Sequence, residues 1–207
     1  MRILVMGLPG SGKTTLCQKL KTQFENAVHL NADEIRERFN DWDFSDEGRL
    51  RQSKRMRRLA DEAVANGQVA IADFVCPTEE TREQFDPDLT VWMDTIDKSR
   101  YKDTNKVFRA PNHYDFKFDD WEQANDPEPV VAAVMQQSTS RKIAKAVTWR
   151  ILGTGVMMLL AWLITDDVAA ALSIGAADLI VKSVLYYFHE SIWDKVKWGS
   201  ITKIQQR

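Results

Sequence analysis

Residues near the start of the chain have the types and spacing of a phosphate-binding loop. Residues 7–14 read GLPGSGKT and fit the pattern GxxxxGK[ST]. Glycines let the backbone curl so that successive N–H groups point into one hollow, which attracts phosphate oxygens together with the following helix N-terminus. In this pattern Lys13 reaches the β- and γ-phosphates of ATP, and the hydroxyl of Thr14 ligates Mg²⁺. The residues predicted to bind the nucleotide are Gly7, Gly10, Ser11, Gly12, Lys13, Thr14 and Thr15.

Two carboxylates that follow predicted strands are candidates for the chemistry beside the phosphates. Because the carboxyl ends of parallel strands line one crevice, Asp33 and Asp73 can both face the γ-phosphate. Asp33 can act as a base toward an acceptor hydroxyl or hold a water of the metal, or it can simply cap a helix. Asp73 lies in an apolar run, where a carboxylate needs a metal, water or a cation, or a hydrogen-bonded turn. We predict Lys13 and Asp33 as catalytic residues and Thr14, Asp33 and Asp73 as metal ligands.

Three arginines and one aromatic residue are candidates for binding the second substrate. Arg36, Arg49 and Arg82 follow the second and third strands and can clamp an anion bidentately, although each can equally lie on a solvated helix face. Phe74 can stack on a base, with a place in the core as the alternative. The loop alone does not identify a kinase, because GTPases, motor ATPases and nucleotide kinases share it.

The elements that must position these residues alternate between short apolar strands and helices. This alternation predicts an α/β domain with a doubly wound parallel sheet, as in P-loop kinases. Ser45 is expected to cap the third helix, and Asn31 or Asp33 the second. The predicted strands are Arg2–Met6, Ala27–Leu30, Val69–Val75 and Leu89–Met93, with helices over Gly12–Phe24, Glu34–Phe39, Ser45–Asn66 and Thr78–Phe85. Tyr101–Asp126 is predicted as a loop or lid with a short strand at Tyr114–Phe118.

Charge divides the 207-residue chain into two parts. Residues 140–207 carry nine Lys and Arg and five Asp and Glu, a net +4, whereas the remainder carries 19 and 25, a net −6. We therefore predict a kinase domain over 1–126, a linker over 127–140 and a helical hairpin over 141–207. The acidic first part argues against nucleic acid as a partner. Cys17 and Cys76 lack the spacing of a zinc motif and suit a reducing cytosol, and no secretory signal is expected before the first strand.

The C-terminal part has the composition of a membrane hairpin. Residues 147–164 and 168–188 approach the length of about 20 apolar residues that a span requires. Arg150, Asp178 and Lys182 are expected to lie at similar depth in the membrane, where their opposite charges neutralise one another. Small residues are expected to let the two helices pack closely. Basic residues flank both outer ends, which places both termini and the kinase on the cytoplasmic side of the inner membrane. The alternative is a soluble hairpin that is buried by homo-oligomerisation.

Several segments together resemble the adenylylsulfate kinase family over about residues 1–121. The loop GLPGSGKT is followed by LNADEIR at 30–36, FSDEGR at 44–49 and VCPTEETR at 75–82. These are similar in order and spacing to the family's LDGDNIR, FSxxxR and ISPxxxxR segments. The C-terminal part resembles a two-helix family of predicted membrane proteins without known chemistry, through residues 144–154 and 182–193.

The resemblance implies transfer of the ATP γ-phosphoryl to the 3′-hydroxyl of adenosine 5′-phosphosulfate. It assigns Asp33 to the hydroxyl, Arg36 and Arg49 to the phosphosulfate, and Phe74 to the adenine. The sequence departs from the family at Asn31, Ala32 and Cys76 and matches its lid loosely over 97–106. The alternatives are a kinase for another nucleotide or small phosphorylated metabolite, and an ATP-dependent membrane adaptor without turnover.

Overall fold

The computed structural model describes residues 1–165, 167–169, 172–178 and 181–182. The chain divides into two compact units, one over Met1–Met135 and one that begins at Gln136. This division differs from the predicted domain end at residue 126, because the helix after Asp126 contributes buried residues to the first unit. Each unit is described separately below.

The first unit is built on one parallel sheet of five strands in the order β2-β3-β1-β4-β5. Its first four strands confirm the predicted alternation, and the fifth lies inside the predicted lid. The strands are β1 (Arg2–Gly7), β2 (Ala27–Asn31), β3 (Val69–Asp73), β4 (Leu89–Met93) and β5 (Phe116–Phe118). Seven helices follow the same chain order: α1 (Lys13–Gln23), α2 (Ala32–Arg38), α3 (Asp46–Ala65), α4 (Glu79–Phe85), α5 (Lys102–Val107), α6 (Trp121–Ala124) and α7 (Glu128–Thr165).

Alternate residues of the strands face two hydrophobic clusters, as a doubly wound sheet requires. In β1, Ile3 and Val5 belong to the cluster that includes residues of α1, α6 and the start of α7. Leu4 and Met6 belong to the other cluster, with residues of α2, α3 and α4. All four side chains are fully buried. Burial on both faces explains why this strand reads as a continuous apolar run.

Helix caps fix where the strand-to-helix turns occur. The Asn31 side chain caps α2 by accepting from the backbone N–H groups of Asp33 and Glu34, at 3.0 and 3.2 Å. Asp33 is therefore in the first turn and is not the cap. The predicted cap at Ser45 is confirmed, since its hydroxyl accepts from the N–H of Gly48 at 3.1 Å. Such caps satisfy backbone donors that the first helical turn leaves open.

The segment predicted as a linker, residues 127–140, is helical from Glu128 onward. Helix α7 begins at Glu128 and continues through residues 136–140 without a break. Pro129 is tolerated because a proline in the first helical turn removes no intrahelical hydrogen bond. Val130, Val131 and Val134 are buried against the sheet of the first unit. Residues 136–140, which belong to the predicted linker, are therefore helical.

The second unit contains the apolar part of α7 and a following helical segment at 172–178. Within the described residues, the stretch Ala146–Thr165 has the length and apolar composition needed to cross a membrane. An added Cβ at Gly175 would overlap Cγ of Met158, so the two segments approach closely there. Asp178 pairs with Lys182 at 2.8 Å and accepts from the hydroxyl of Thr154 at 3.2 Å. Within the predicted second span, residues 168–188, the structure describes 168–169, 172–178 and 181–182, and the rest lies outside the described residues.

Candidate active site

The loop between β1 and α1 requires glycine at two positions for different reasons. A Cβ at Gly7 would overlap the carbonyl oxygen of Met93 on β4, so the backbone passes too close for any side chain. Gly12 adopts φ 87°, a left-handed conformation that glycine reaches without strain, just before the first residue of α1. These features shape a loop that leads directly into the N-terminus of α1, as anion binding requires.

Lys13 is held inside this loop. Its ammonium donates to the carbonyl oxygen of Leu8 at 3.0 Å, and the side chain is almost fully buried. Burial lowers the pKa of Lys13 from the ordinary lysine value, while the charges of Asp73 and Asp33 oppose that shift. A desolvated ammonium beside the loop amides interacts strongly with phosphate oxygens because little water competes for them.

Asp73 at the end of β3 is contacted from two neighbouring elements. Its Oδ2 accepts from the hydroxyl of Thr14 at 2.6 Å and from the amide of Asn31 at 3.0 Å. The Asn31 side chain caps α2 with its oxygen, as predicted, and also donates from its amide nitrogen to Asp73, a contact that the sequence did not indicate. Asp73 is 3% exposed, so these donors offset part of the cost of its burial.

Thr14 and Asp73 form an oxygen-donor set that fits a magnesium ion. Mg²⁺ favours one or two protein oxygens and keeps several waters and substrate phosphates as its other ligands. A hydroxyl at the start of the loop helix beside a carboxylate at a strand end is the pair that P-loop enzymes use. Asp33, the third predicted ligand, lines the same cavity from the first turn of α2 and is exposed.

A cavity of about 930 Å³ lies at the carboxyl ends of the strands and gathers most of the predicted site residues. Gly10, Lys13 and Thr14 line it from the loop, and Asp33 and Asp73 from the strand ends. Gly7, Ser11 and Gly12 shape the loop behind this surface, whereas Thr15 is exposed on α1 and does not line the cavity. The volume is in the range of sites that enclose ligands of nucleotide size.

Arg36 and Arg49 both line the cavity and are almost fully buried. Arg36 donates to the carbonyl oxygens of Asp41 and Asp43, each at 2.9 Å, and burial lowers its pKa. Arg49 donates to the carbonyl oxygen of Phe44 at 2.8 Å. Both guanidinium groups also contact the Phe44 ring, at 4.7 and 5.8 Å from its centroid. The two arginines are thus held in place on the wall where an anionic acceptor was predicted.

Arg82 does not line the cavity, in contrast to the prediction. Its guanidinium pairs with Glu79 at 2.8 Å and donates to the carbonyl oxygens of Pro77 and Arg109. The helical spacing from Glu79 to Arg82 provides a partner within α4, which turns the side chain away from the strand ends. Arg82 therefore ties the segment after α5 to the start of α4.

Phe74 is a core residue as well as a cavity residue. It is 8% exposed and packs edge-on against Phe85, with ring centroids 5.4 Å apart. The more exposed rings on the cavity wall are Trp42, Phe44 and Tyr101, none of which was predicted in the site. The pattern WDF at 42–44, between two helices, could have indicated Trp42 and Phe44, because neighbouring exposed aromatic residues mark binding surfaces.

The predicted lid contributes a helix to the site. Lys98, Ser99, Arg100 and Tyr101 lead into α5, and all four line the cavity. Asn105 stabilises this turn, because its side-chain oxygen accepts hydrogen bonds from the N–H and the hydroxyl of Ser99 at 2.9 and 2.8 Å. The turn before α5 therefore brings the positive charges of Lys98 and Arg100 to the cavity, and α5, inside the predicted lid, brings the carboxylate of Asp103.

Comparisons with known proteins agree with this geometry. Residues 1–96 match the family model described as adenylylsulphate kinase, and residues 143–194 match that of a predicted membrane protein, DUF2061. A probable adenylyl-sulfate kinase of Bacillus subtilis (strain 168) is 36% identical over 83 residues, which are 38% of this chain and 42% of that protein. The matched region thus spans less than half the length of this curated relative.

A solved structure of similar fold is the APS kinase CysC of Mycobacterium tuberculosis in complex with AMPPNP and APS. It aligns with a TM-score of 0.53 and 18% identity, over 65% of this chain and 96% of that chain. At this identity the likeness shows the fold alone. Residues 1–96 are therefore similar in sequence to adenylylsulphate kinases, the first unit has the fold of one of them, and residues 143–194 are similar to a predicted membrane protein.

Proposed function

We propose that the first unit transfers the γ-phosphoryl group of ATP to the 3′-hydroxyl of adenosine 5′-phosphosulfate. The observation that carries this proposal is the convergence of Lys13, Asp33 and the Thr14–Asp73 pair on one cavity. A phosphate-binding lysine, a carboxylate near an acceptor and an oxygen set for a metal are the parts that phosphoryl transfer requires. The match of residues 1–96 to the adenylylsulphate kinase family supports the choice of acceptor.

In the proposed step, the acceptor hydroxyl oxygen forms a bond to the γ-phosphorus as the bond to the bridging oxygen of ADP breaks. Asp33 accepts the hydroxyl proton, and the leaving ADP oxygen keeps the electron pair of the broken bond. Lys13 and the N–H groups of the loop stabilise the charge on the phosphate oxygens. When bound, Mg²⁺ at Thr14 and Asp73 supplies further neutralisation of the triphosphate. The protein contributes mainly positioning and electrostatic stabilisation.

On the acceptor side, Arg36 and Arg49 provide positive charge for the phosphosulfate. The Phe44 ring beside them, together with Trp42, offers aromatic surface on the same wall. Phe74, which lines the cavity and is 8% exposed, stays a candidate for stacking on the adenine. Mycobacterium tuberculosis CysC was crystallised with APS, which supports a fold able to hold this acceptor.

The second unit is proposed to tether the kinase to the inner membrane. Its support is the apolar helix Ala146–Thr165, the match to a predicted membrane protein, and the exposure of apolar side chains along that helix. The basic residues that flank the hairpin favour a cytoplasmic position for both termini and the kinase. Homo-oligomerisation through the hairpin is the alternative way to cover this surface.

An ADP-release screen of the purified full-length chain tests the acceptor. We expect release that depends on adenosine 5′-phosphosulfate, ATP and Mg²⁺, and a loss of about 10²- to 10³-fold in Lys13→Ala, because a buried charge at the phosphates is removed. Lys21→Ala, on the exposed end of the same helix, is the matched control. A chain that shows no acceptor-dependent release with any nucleotide would support the non-catalytic adaptor.

A different acceptor is the second candidate, and two observations favour it. Arg82 lies outside the cavity, and the lid residues 97–106 match the family only loosely. Both features concern contacts with the acceptor, and neither affects the residues proposed to bind ATP. Release with another nucleotide or phosphorylated metabolite, and none with adenosine 5′-phosphosulfate, would replace the acceptor while the phosphotransferase assignment stands.

Membrane fractionation tests the tether. We expect the full-length chain to stay with membranes after carbonate extraction, and a chain ending at Met135 to be released into the supernatant. Recovery of the full-length chain in the carbonate supernatant as a defined oligomer would favour the soluble hairpin instead. Protease protection in inverted and right-side-out vesicles then determines on which side the kinase lies.

A further inference from the structure

A second set of potential metal ligands lies directly behind the Thr14–Asp73 pair. The ligand atoms of Cys17 on α1, His29 on β2 and Asp73 on β3 all lie within 4.8 Å of one another. Cys17 is one helical turn after Thr14, and His29 precedes Asn31 on the strand next to β3. These positions bring a thiol and an imidazole against the carboxylate that the proposed kinase uses for magnesium.

His29 is the residue that the rest of the site does not explain. Its Nε2 is buried and has no hydrogen-bond partner, although it lies 3.5 Å from Oδ2 of Asp73. A buried imidazole nitrogen without a partner loses the free energy of its hydrogen bonds to water. A cation between Nε2 and the carboxylate would satisfy both groups.

The three residue types select a particular class of cation. Thiolate and imidazole are poor ligands for Mg²⁺ but good ligands for Zn²⁺ and similar soft divalent ions. Tetrahedral zinc with bonds of about 2.0–2.3 Å places its ligand atoms roughly 3.3–3.7 Å apart, so the present cluster needs only side-chain adjustment. A Cys17 thiolate and the Asp73 carboxylate together neutralise a divalent charge, which lowers the cost of burial.

We propose that Cys17, His29 and Asp73 form a site for a soft divalent cation such as Zn²⁺, which competes with Mg²⁺ for Asp73. Zinc binding deprotonates the Cys17 thiol, and the released proton goes to solvent. The fourth zinc position faces the Thr14 side, where a water or the Thr14 hydroxyl completes the tetrahedron. Inhibition of phosphoryl transfer by zinc rests on the proposed function, but metal binding does not.

Cobalt substitution tests the site without any need for turnover. We titrate Co²⁺ into the full-length chain and record the thiolate-to-cobalt charge-transfer band and the intense visible bands of tetrahedral Co²⁺. The wild-type chain is expected to show both, and Zn²⁺ to abolish them. Cys17→Ser should lose the charge-transfer band, and His29→Gln the tetrahedral spectrum. The matched control is Cys76→Ser, since Cys76 is equally buried but lies outside the cluster.

Zinc affinity, measured by competition with a chromophoric chelator, gives the magnitude. Loss of an outer-shell partner typically weakens metal binding by about 10- to 100-fold, so loss of a direct ligand in Cys17→Ser should weaken it by at least about 100-fold. Mg²⁺ with ATP should weaken zinc binding to the wild-type chain. Circular dichroism melts verify that each variant is folded.

Three results would overturn the proposal: no thiolate band in the wild-type chain, a band that survives in folded Cys17→Ser, or zinc affinity that Mg²⁺ and ATP leave unchanged. A chain that binds cobalt as expected but releases no ADP with any acceptor would contradict the proposed kinase activity and support the metal site. A chain that releases ADP but shows no cobalt spectrum would support the kinase activity and contradict the metal site.

Discussion

Apolar side chains are buried in the first unit and exposed in the second, and helix α7 contains side chains of both kinds. Val130 and Val134, in the first unit, are fully buried. Leu163 and Ile164, in the second, are 65% and 82% exposed. Burial of one such side chain is worth about 1.5–3 kcal/mol, so the second unit leaves a large stabilisation unrealised in water. Its apolar surface must meet lipid or another protein surface.

Polar groups in the two units also differ in how they are supported. Asp73 has donors from two elements and lies beside the lysine of the phosphate loop. Among the described residues, Asp178 has an ion pair to Lys182 and a hydroxyl donor, Thr154. The first arrangement organises a site for a ligand, whereas the second neutralises a charge inside an apolar segment. On this basis we propose that chemistry and attachment are separate tasks in this chain.

The largest expected effect that separates the units concerns Asp33. Asp33→Asn removes the proposed base, so turnover should fall by about 10²- to 10⁴-fold while ATP affinity and membrane retention stay unchanged. Steady-state ADP release and calorimetry with ATP measure the two quantities. Glu34→Gln, the exposed neighbour outside the cavity, is the control. Full turnover in Asp33→Asn would remove Asp33 from the proposed mechanism.

The next effect is on the stability of the first unit and its response to magnesium. Asn31→Asp keeps an acceptor for the cap but places a second carboxylate beside Asp73, where a donor was lost. We expect a loss of roughly 1–3 kcal/mol in unfolding free energy in chelator, and a larger rescue by Mg²⁺ than in the wild-type chain. Thermal melts with and without Mg²⁺ measure both. Asn112→Asp, with the same charge change on an exposed residue, should show neither effect.

A matching test for the second unit uses its close helix approach. Gly175→Ala places a methyl group onto Met158, and such overpacking typically costs about 1–3 kcal/mol. Gly155→Ala is the control, because a Cβ there meets nothing within 4 Å. Melting in detergent should be lowered for the first variant alone, with ATP affinity unchanged in both. Reduced ATP affinity in Gly175→Ala would mean that the units are energetically coupled.

The smallest effect tests local support within the first unit. Ser45→Ala removes the cap of α3 and should cost about 1 kcal/mol of unfolding free energy. Arg58→Ala breaks an exposed pair with Glu62 at 3.7 Å and should change stability by less than about 0.5 kcal/mol. Denaturant titration measures both values. Equal losses in the two variants would contradict the capping role.

Local signals predicted much of the first unit. The phosphate loop, the cap at Ser45 and strand β4 each depend on neighbours in sequence, and the structure agrees with all three. Asp73 was identified because a carboxylate in an apolar run is costly, a reason that needs no knowledge of its partners. Its place beside Thr14 and Lys13 followed from the rule that the carboxyl ends of parallel strands meet.

The features that were not predicted depend on contacts between distant residues. The position of Arg82 is set by Glu79 and by the backbone of Arg109, and the second role of Asn31 by Asp73. Lid helix α5 has only six residues, in a segment without a clear period, whereas the short strand predicted at Tyr114–Phe118 forms as β5 beside β4. Helix α7 begins inside the linker predicted over 127–140, because the tolerance of Pro129 in a first helical turn was not applied.

Three valines at the start of α7 have a practical consequence for anyone preparing the catalytic part alone. A chain that ends at residue 126 would lack Val130, Val131 and Val134, which would expose the apolar face of the sheet to solvent. Such a fragment would aggregate during purification, although it contains every residue named in the cavity. A chain that ends after Met135 retains the three valines, and this fragment would serve for crystallisation trials and acceptor screens without detergent.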